Sequence, residues 1–313
     1  MDLADQSQPI RPDEGFDESA LEAFLKACLP NLSGRLIVHQ FPSGFSNLTY
    51  HLRFGDREFV MRRPPFGTKA KSAHDMKRES TILKALKPFY PYCPEPLAYT
   101  DDPSILGCPF YVMERLRGII LRKNLPAGLT FTPREMQQLC ETLLDVLVEL
   151  HQIDYDKAGL GELGHPQGYV RRQVEGWSKR YRDARTEDAP DFEAVMEWLA
   201  AEMPSDTSSP TIIHNDYRFD NVVLDEAAPQ KIIGVLDWEM ATLGDPLMDL
   251  GCSLGYWVDR TDSEEIQAIR MMPTNVEGAF TRRELVNYYA QLSGQPIDNI
   301  DFYHCYGMFR LAV

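Results

Sequence analysis

Long apolar runs are missing from this chain. No stretch reaches the roughly 18 consecutive apolar residues that a membrane-crossing helix needs. Positive charge is scarce too. Against 47 Asp and Glu stand only 32 Lys and Arg, a net charge of −15 and a sequence pI of about 4.9. That balance argues against bulk attraction to nucleic acid or to an anionic membrane. A metal-bound nucleotide stays open, because it needs only local cations. Paired cysteines are also lacking. The six, Cys28, Cys93, Cys108, Cys140, Cys252 and Cys305, are scattered with no C-x-x-C spacing. A disulfide framework or zinc site is disfavoured, and a reduced, cytoplasmic setting is expected. Residues 1–18 are acidic and polar, unlike a signal peptide, and read as a flexible leader. No internal repeat is present.

What remains is ordinary globular material: 313 residues, 43% hydrophobic and 25% charged, enough for one large domain or two lobes. Spacing predicts a short helix over 19–29, with Leu21, Phe24 and Leu25 on one face. Strand-like runs follow at 36–38, 48–52 and 58–61, broken by turn chemistry at Pro42-Ser43-Gly44 and Gly55-Asp56. A helix is predicted over 75–87, then strands near 97–99 and 110–113. Together, residues 19–116 read as a small β-rich N-terminal lobe. Thr132-Pro133-Arg134-Glu135 has the form of a capping box with proline at the first helical position. Met136, Leu139, Cys140, Leu143, Leu144, Leu147 and Leu150 then recur at helical spacing, so a long core helix should end near His151. Further helices are expected over 169–184 and 190–203, and from 246 onward. Short strands are expected at 211–213, 222–224 and 232–236. Residues 117–313 thus read as a larger, mostly helical C-terminal lobe. The fold class is α+β.

The chemistry concentrates in His214-Asn215-Asp216-Tyr217-Arg218-Phe219-Asp220-Asn221 and, one hairpin later, Val235-Leu236-Asp237-Trp238-Glu239. A carboxylate, an amide five residues on and a second carboxylate at a strand end are what phosphoryl transfer from a metal nucleotide requires. Asp216 would orient a hydroxyl and accept its proton. The Asn221 amide oxygen and Asp237 would hold Mg²⁺ against the phosphates. His214 would brace the loop. The competing reading of 214–221 alone is a polar turn rich in Asp and Asn. The remaining histidines show no metal-ligand spacing and read as structural or surface residues.

These two motifs, with Gly244-Asp245-Pro246-Leu247-Met248-Asp249-Leu250-Gly251, resemble the aminoglycoside phosphotransferase and choline kinase superfamily. The similarity is nearest to its branch of kinase-like domains found with acyl-CoA dehydrogenases, and it runs from about residue 36 to the end. The resemblance implies a bilobal protein-kinase-like fold with ATP and Mg²⁺ as cofactors. It implies Asp216 as the catalytic aspartate, Asn221 and Asp237 as metal ligands, and Asp249 as a brace for the catalytic loop. Asp245 reads as a helix cap or a participant in the chemistry. The 42–47 loop resembles the family's phosphate cover, which makes Ser43, Gly44, Ser46 and Asn47 nucleotide contacts. Arg62 stands where protein kinases place a lysine, with Glu79 as its partner; Arg63 is the competing assignment. By the same resemblance, Glu114 and Leu116 would hydrogen-bond adenine through their backbones, and Met113 would line its pocket.

Only seven residues separate Asp237 from Asp245, too few for a peptide-docking activation segment, so a small hydroxylated acceptor is expected. Glu239, Arg171, Trp177 and Arg180 are the candidates for touching it. The basic run 171–185 reads either as a solvated face balanced by neighbouring carboxylates or as an anion site. The anion reading favours a hydroxyacid or hydroxyacyl-CoA over an aminoglycoside or choline-type acceptor. A nucleotide-binding regulatory pseudokinase and a nucleotide-independent interaction module are the alternatives from other classes.

Overall fold

A computed structural model describes residues 3–42, 47–67, 75–294 and 297–313. The chain divides into two compact units. One comprises Ala4–Gly118 and Gly234–Glu239; the other holds Ile119–Ile233 and Met240–Val313. The sequence reading put the short segment 234–239 with the larger, helical part.

The first unit is built on a five-stranded antiparallel sheet. Its strands are β1 (Leu36–Gln40), β2 (Leu48–Phe54), β3 (Arg57–Arg63), β4 (Pro96–Thr100) and β5 (Phe110–Glu114), in the order β1-β2-β3-β5-β4. Helix α1 (Glu18–Cys28) starts on Asp17, whose carboxylate accepts from the Ser19 and Ala20 amides. Its apolar stripe, Leu21 and Leu25, packs with Tyr50, Phe54, Phe59, Met61, Phe110 and Val112. Helix α2 (Met76–Leu86) buries Met76, Ile82, Leu83 and Leu86, and with them one carboxylate, Glu79. A short α3 (Pro103–Leu106) follows β4. β3 is central and its last five residues are all buried, the consecutive cations Arg62 and Arg63 included. The segment read as a leader makes specific contacts in this unit. The Asp5 amide donates to the Gly118 carbonyl at 3.0 Å, Arg115 donates to the Asp5 carbonyl, and Gln8 bridges to Gln40.

In the second unit, α4 (Pro133–His151) opens with the expected capping box, Thr132 and Glu135 bonding each other's backbone amides. Helices α5 (Tyr169–Ala184) and α6 (Glu193–Ala201) follow. Strands β6 (Thr211–Ile213), β7 (Val222–Leu224), β8 (Ile232–Val235) and β9 (Thr242–Gly244) pair β6 with β9 and β7 with β8. Helices α7 (Pro246–Tyr256), α8 (Glu264–Ile269), α9 (Arg282–Ser293) and α10 (Ile300–Ala312) complete it. β9 has no counterpart in the sequence reading: Thr242-Leu243-Gly244 carries one large apolar residue, where β6 and β7, of similar length, are richer in them. No helix among the described residues is long and apolar enough to cross a membrane.

Helices α7 and α10 cross at glycines. A Cβ on Gly251 would run into the Tyr303 carbonyl, and one on Gly307 into that of Gly251. A helix-interior Gly→Ala change ordinarily stabilises by about 1 kcal/mol. Here the obstacle is backbone, which cannot rotate aside, and overpacking costs about 1–3 kcal/mol or more. Gly307→Ala is therefore expected to destabilise the chain in chemical denaturation, and a stabilised variant would show that the crossing is looser than described.

Candidate active site

Asp216 lies in a loop fixed mainly through its backbone. Asp249, fully buried on α7, accepts from the His214 amide at 2.6 Å and from the Asn215 amide at 2.7 Å. His151, at the end of α4, reaches the same carboxylate at 3.2 Å and bonds Tyr289 through its other nitrogen at 2.7 Å. Burial pushes the Asp249 carboxyl up. The hydrogen bond and charge of His151, the charge of His214 and the bond from its amide outweigh burial and hold the carboxyl below the usual range. These bonds support a left-handed turn at Asn215, φ +66°, a conformation that Asn tolerates better than most residues. The Asn215 side chain is used as well, accepting from the Tyr169 hydroxyl and donating to the Met240 carbonyl.

Asn221, in the short 3₁₀ turn Phe219–Asn221, donates its amide nitrogen to the Asp216 carbonyl and to the carboxylate Oδ2, both at 2.8 Å. The nitrogen is thereby committed to Asp216, which turns the amide oxygen away as a hard donor. Arg218 pairs with Asp216 at 3.3 Å and with Asp220 at 3.1 Å, and its guanidinium stacks on Tyr256. Burial raises the Asp220 carboxyl despite that pairing.

The second constellation belongs to the first unit. Arg62 donates to Glu79 at 2.7 Å and to Asp237 at 2.9 Å, and lies 3.5 Å from Glu239. Glu239 also accepts from the Asn47 amide at 2.6 Å. Burial works against the Arg62 charge, but Asp237 and Glu79 hold its pKa well above the ordinary arginine value. Asp237 too has a left-handed backbone, φ +67°. Its segment is tied into this unit by the Val235 amide on the Tyr92 carbonyl, the Trp238 indole on the Val235 carbonyl and the edge-on contact of Trp238 with Tyr90. Arg63 is placed otherwise, its guanidinium stacked 4.2 Å from the centre of the Phe66 ring. Alternation along β3 separates the two arginines: Arg62, not Arg63, meets Glu79.

Asn47 is the described member of the expected phosphate-covering loop; Ser43, Gly44 and Ser46 lie outside the described residues. Met113 is buried on β5 opposite Val60 of β3 and Pro96 of β4. The Glu114 side chain accepts from Lys87 at 2.6 Å and from the Glu95 amide. Leu116 follows the strand, half-buried. Asp245 caps α7 through the Leu247 amide and accepts from the Tyr303 hydroxyl.

The acceptor candidates separate. Glu239, expected beside the acceptor, sits in the Arg62 cluster instead. Arg171 is exposed and faces Glu175 at 3.8 Å, while Lys179 and Arg182 pair with Asp183 and Glu193. Arg180 makes none of these pairs. Its guanidinium lies 4.5 Å from the Trp177 ring centre, and Arg310 of α10 approaches the same indole at 5.5 Å. Arg310 also donates to the Asn215 carbonyl. Sequence reasoning missed His151 and Arg310. A polar residue continuing the apolar stripe of α4 was the available signal for His151. For Arg310, it was the single Lys or Arg of the C-terminal helix.

A magnesium ion would find suitable chemistry here. It takes hard oxygen donors and is commonly held by one or two carboxylates plus phosphates and water rather than by an all-protein cage. The Asn221 amide oxygen in the second unit and the Asp237 carboxylate in the first are each a donor of that kind. Among the described residues no group of three or more His, Cys, Asp or Glu forms a metal cage.

Known proteins agree with this architecture. The family described as "Phosphotransferase enzyme family" matches residues 37–284. Acyl-CoA dehydrogenase family member 10 of Mus musculus is 35% identical over 98% of this chain, and family member 11 of Gallus gallus 33% over 97%. The chain spans only 28% and 39% of those two relatives. A crystal structure of a putative aminoglycoside phosphotransferase from Ralstonia eutropha superposes with TM-score 0.78 at 32% identity, covering 95% of this chain and 87% of the other. Choline kinase from Cryptosporidium parvum shares the fold at TM-score 0.61 and 13% identity, covering 95% and 87%. With a family match over most of its length and the fold of these kinases, the chain belongs to the phosphotransferase enzyme family.

Proposed function

We propose that the chain transfers the γ-phosphoryl group of ATP to a hydroxyl of a small anionic molecule. The observation that supports this most strongly is the buried Arg62, which holds Glu79 and Asp237 with one guanidinium. Kinases need their β3 cation paired with the following helix and the metal-binding aspartate in place together. An arginine meets both demands at once because its donors fan out in a plane.

In this reading Asp216 aligns the acceptor hydroxyl and accepts its proton as the bond to phosphorus forms. Arg62 and Asn47 orient the phosphates. The Glu114 carbonyl and the Leu116 amide bind adenine, with Met113 beside them. Asn221 and Asp237 would hold Mg²⁺, which when bound neutralises charge on the β- and γ-phosphates. Glu239 acts on the nucleotide side, through Asn47 and Arg62. For the acceptor, Trp177 flanked by Arg180 and Arg310 favours an anion, a hydroxyacid or a hydroxyacyl thioester. The relatives' names, which speak of acyl-CoA, fit that class. An aminoglycoside acceptor is the second reading, supported by the likeness to the Ralstonia eutropha protein, itself named a putative aminoglycoside phosphotransferase.

Asp216→Ala is expected to lower kcat by about 10²–10⁴-fold, the range for a lost general base, with MgATP affinity nearly unchanged. ADP release measured across a panel of hydroxyacids, their CoA thioesters and kanamycin-type compounds checks both this and the acceptor class. Turnover of the aminoglycosides alone would reverse the acceptor assignment, and near-normal turnover by Asp216→Ala would remove it as the base. Arg62→Met should cost about 3–5 kcal/mol, because it leaves the Glu79 carboxylate buried without its cation. Arg62→Lys should cost much less. Equal denaturation midpoints for the two variants would refute the pairing.

A further inference from the structure

Arg310 has an unusual set of neighbours for a half-buried arginine. Its Nη1 donates to the Asn215 carbonyl and to the Cys252 thiol sulfur at 2.9 Å, and its Nη2 meets the Met240 thioether at 2.9 Å. Its face turns to Trp177. Sulfur is a weak acceptor, so the one strong acceptor in the set is the Asn215 carbonyl. No carboxylate forms an ion pair with Arg310 among the described residues. Burial opposes the charge, and Asp216 is among the groups that restore it.

The Asn215 carbonyl and the Asp216 amide are two ends of one rigid peptide plane. Arg310 holds the carbonyl end. The Asp216 N–H, at the other end, donates to His214 Nδ1 at 3.2 Å. A plane pinned at both ends cannot rotate, and its orientation sets the direction in which the Asp216 Cα–Cβ bond leaves the chain. Asp249 cannot do this alone, since it binds the amides of residues 214 and 215, upstream of that plane.

We propose that Arg310 is a positioning residue for the transfer step, locking the 215–216 peptide plane so that the Asp216 carboxylate is held in its working direction. Its catalytic meaning rests on the kinase reading; its effect on the loop does not.

The test uses Arg310→Met and Arg310→Lys in the full chain. Arg310→Met is expected to lower kcat about 100-fold, the scale of a small misplacement of a reacting group, with KM for MgATP within twofold of the parent. Arg310→Lys, which keeps a charged donor, should recover kcat to within about tenfold. Hydrogen exchange should quicken in peptides covering 214–218 of Arg310→Met and stay unchanged in α4, whereas general destabilisation would quicken both. A kcat within twofold of the parent, or unaltered exchange in the loop, overturns the proposal. If Arg310→Met does not fold, Arg310→Lys decides. A two- to tenfold loss of kcat at constant KM supports the role, and an unchanged kcat overturns it. A parent chain that turns over no MgATP with any acceptor removes the kinase reading instead, and the exchange contrast, which needs no acceptor, still decides Arg310.

Discussion

One buried carboxylate, Asp249, organises the 214–221 loop of the helical unit. A charge removed from water is tolerated only when its lone pairs are filled, and here they are filled by two successive backbone amides and a histidine. The consequence runs in both directions. The loop supplies the donors that keep Asp249 ionised in the core, and Asp249 compels the loop into a shape with a left-handed residue at its apex. The glycine crossing of α7 and α10 joins the same dependence, because α7 carries Asp249 and α10 carries Arg310.

The sheet unit solves a parallel problem with the signs reversed. Arg62 is a buried cation, and its two nearest carboxylates lie 17 and 175 residues further along the sequence, Glu79 on α2 and Asp237 on the returning segment. Left without Arg62, the buried Glu79 carboxylate would be a liability. The arrangement also explains why an arginine can occupy a position that protein kinases give to lysine. A point charge on a flexible stem serves one carboxylate well, whereas a planar fork serves two at fixed angles.

Much of this was legible in the sequence, and the reason differs from element to element. The long helix α4 announced itself by its period and its capping box. Asp216, Asn221 and Asp237 stood out because phosphoryl transfer, the proposed chemistry, restricts both residue type and spacing. His151 and Arg310 were hidden because their roles depend on partners about a hundred residues away, Asp249 and Asn215, and local pattern carries no such information. Glu239, read as an acceptor contact, lies in a segment that folds with the sheet unit. The composition of 171–185 hinted at an anion site as a whole; pairwise geometry leaves Arg180 as its candidate, since Lys179 and Arg182 are already matched to carboxylates.

Under the proposed kinase reading, the path of the backbone after Asp237 bears on the acceptor class. A peptide substrate needs a long exposed segment at this point to lie against. Here the chain makes one 3₁₀ turn, Trp238–Met240, and enters β9, which is bonded along its length to β6. Gly244 then passes so near Ile213 and Tyr169 that a side chain would collide with both. Hydrogen bonds and close packing consume the residues that would otherwise form a docking surface. In that reading the contacts offered to an acceptor are the Trp177 indole and the Arg180 guanidinium of α5, while the Arg310 guanidinium of α10 is engaged by the Asn215 carbonyl. Such a surface offers charge and a flat apolar face but no strand edge for peptide pairing. It therefore favours a compact anion bearing a hydroxyl.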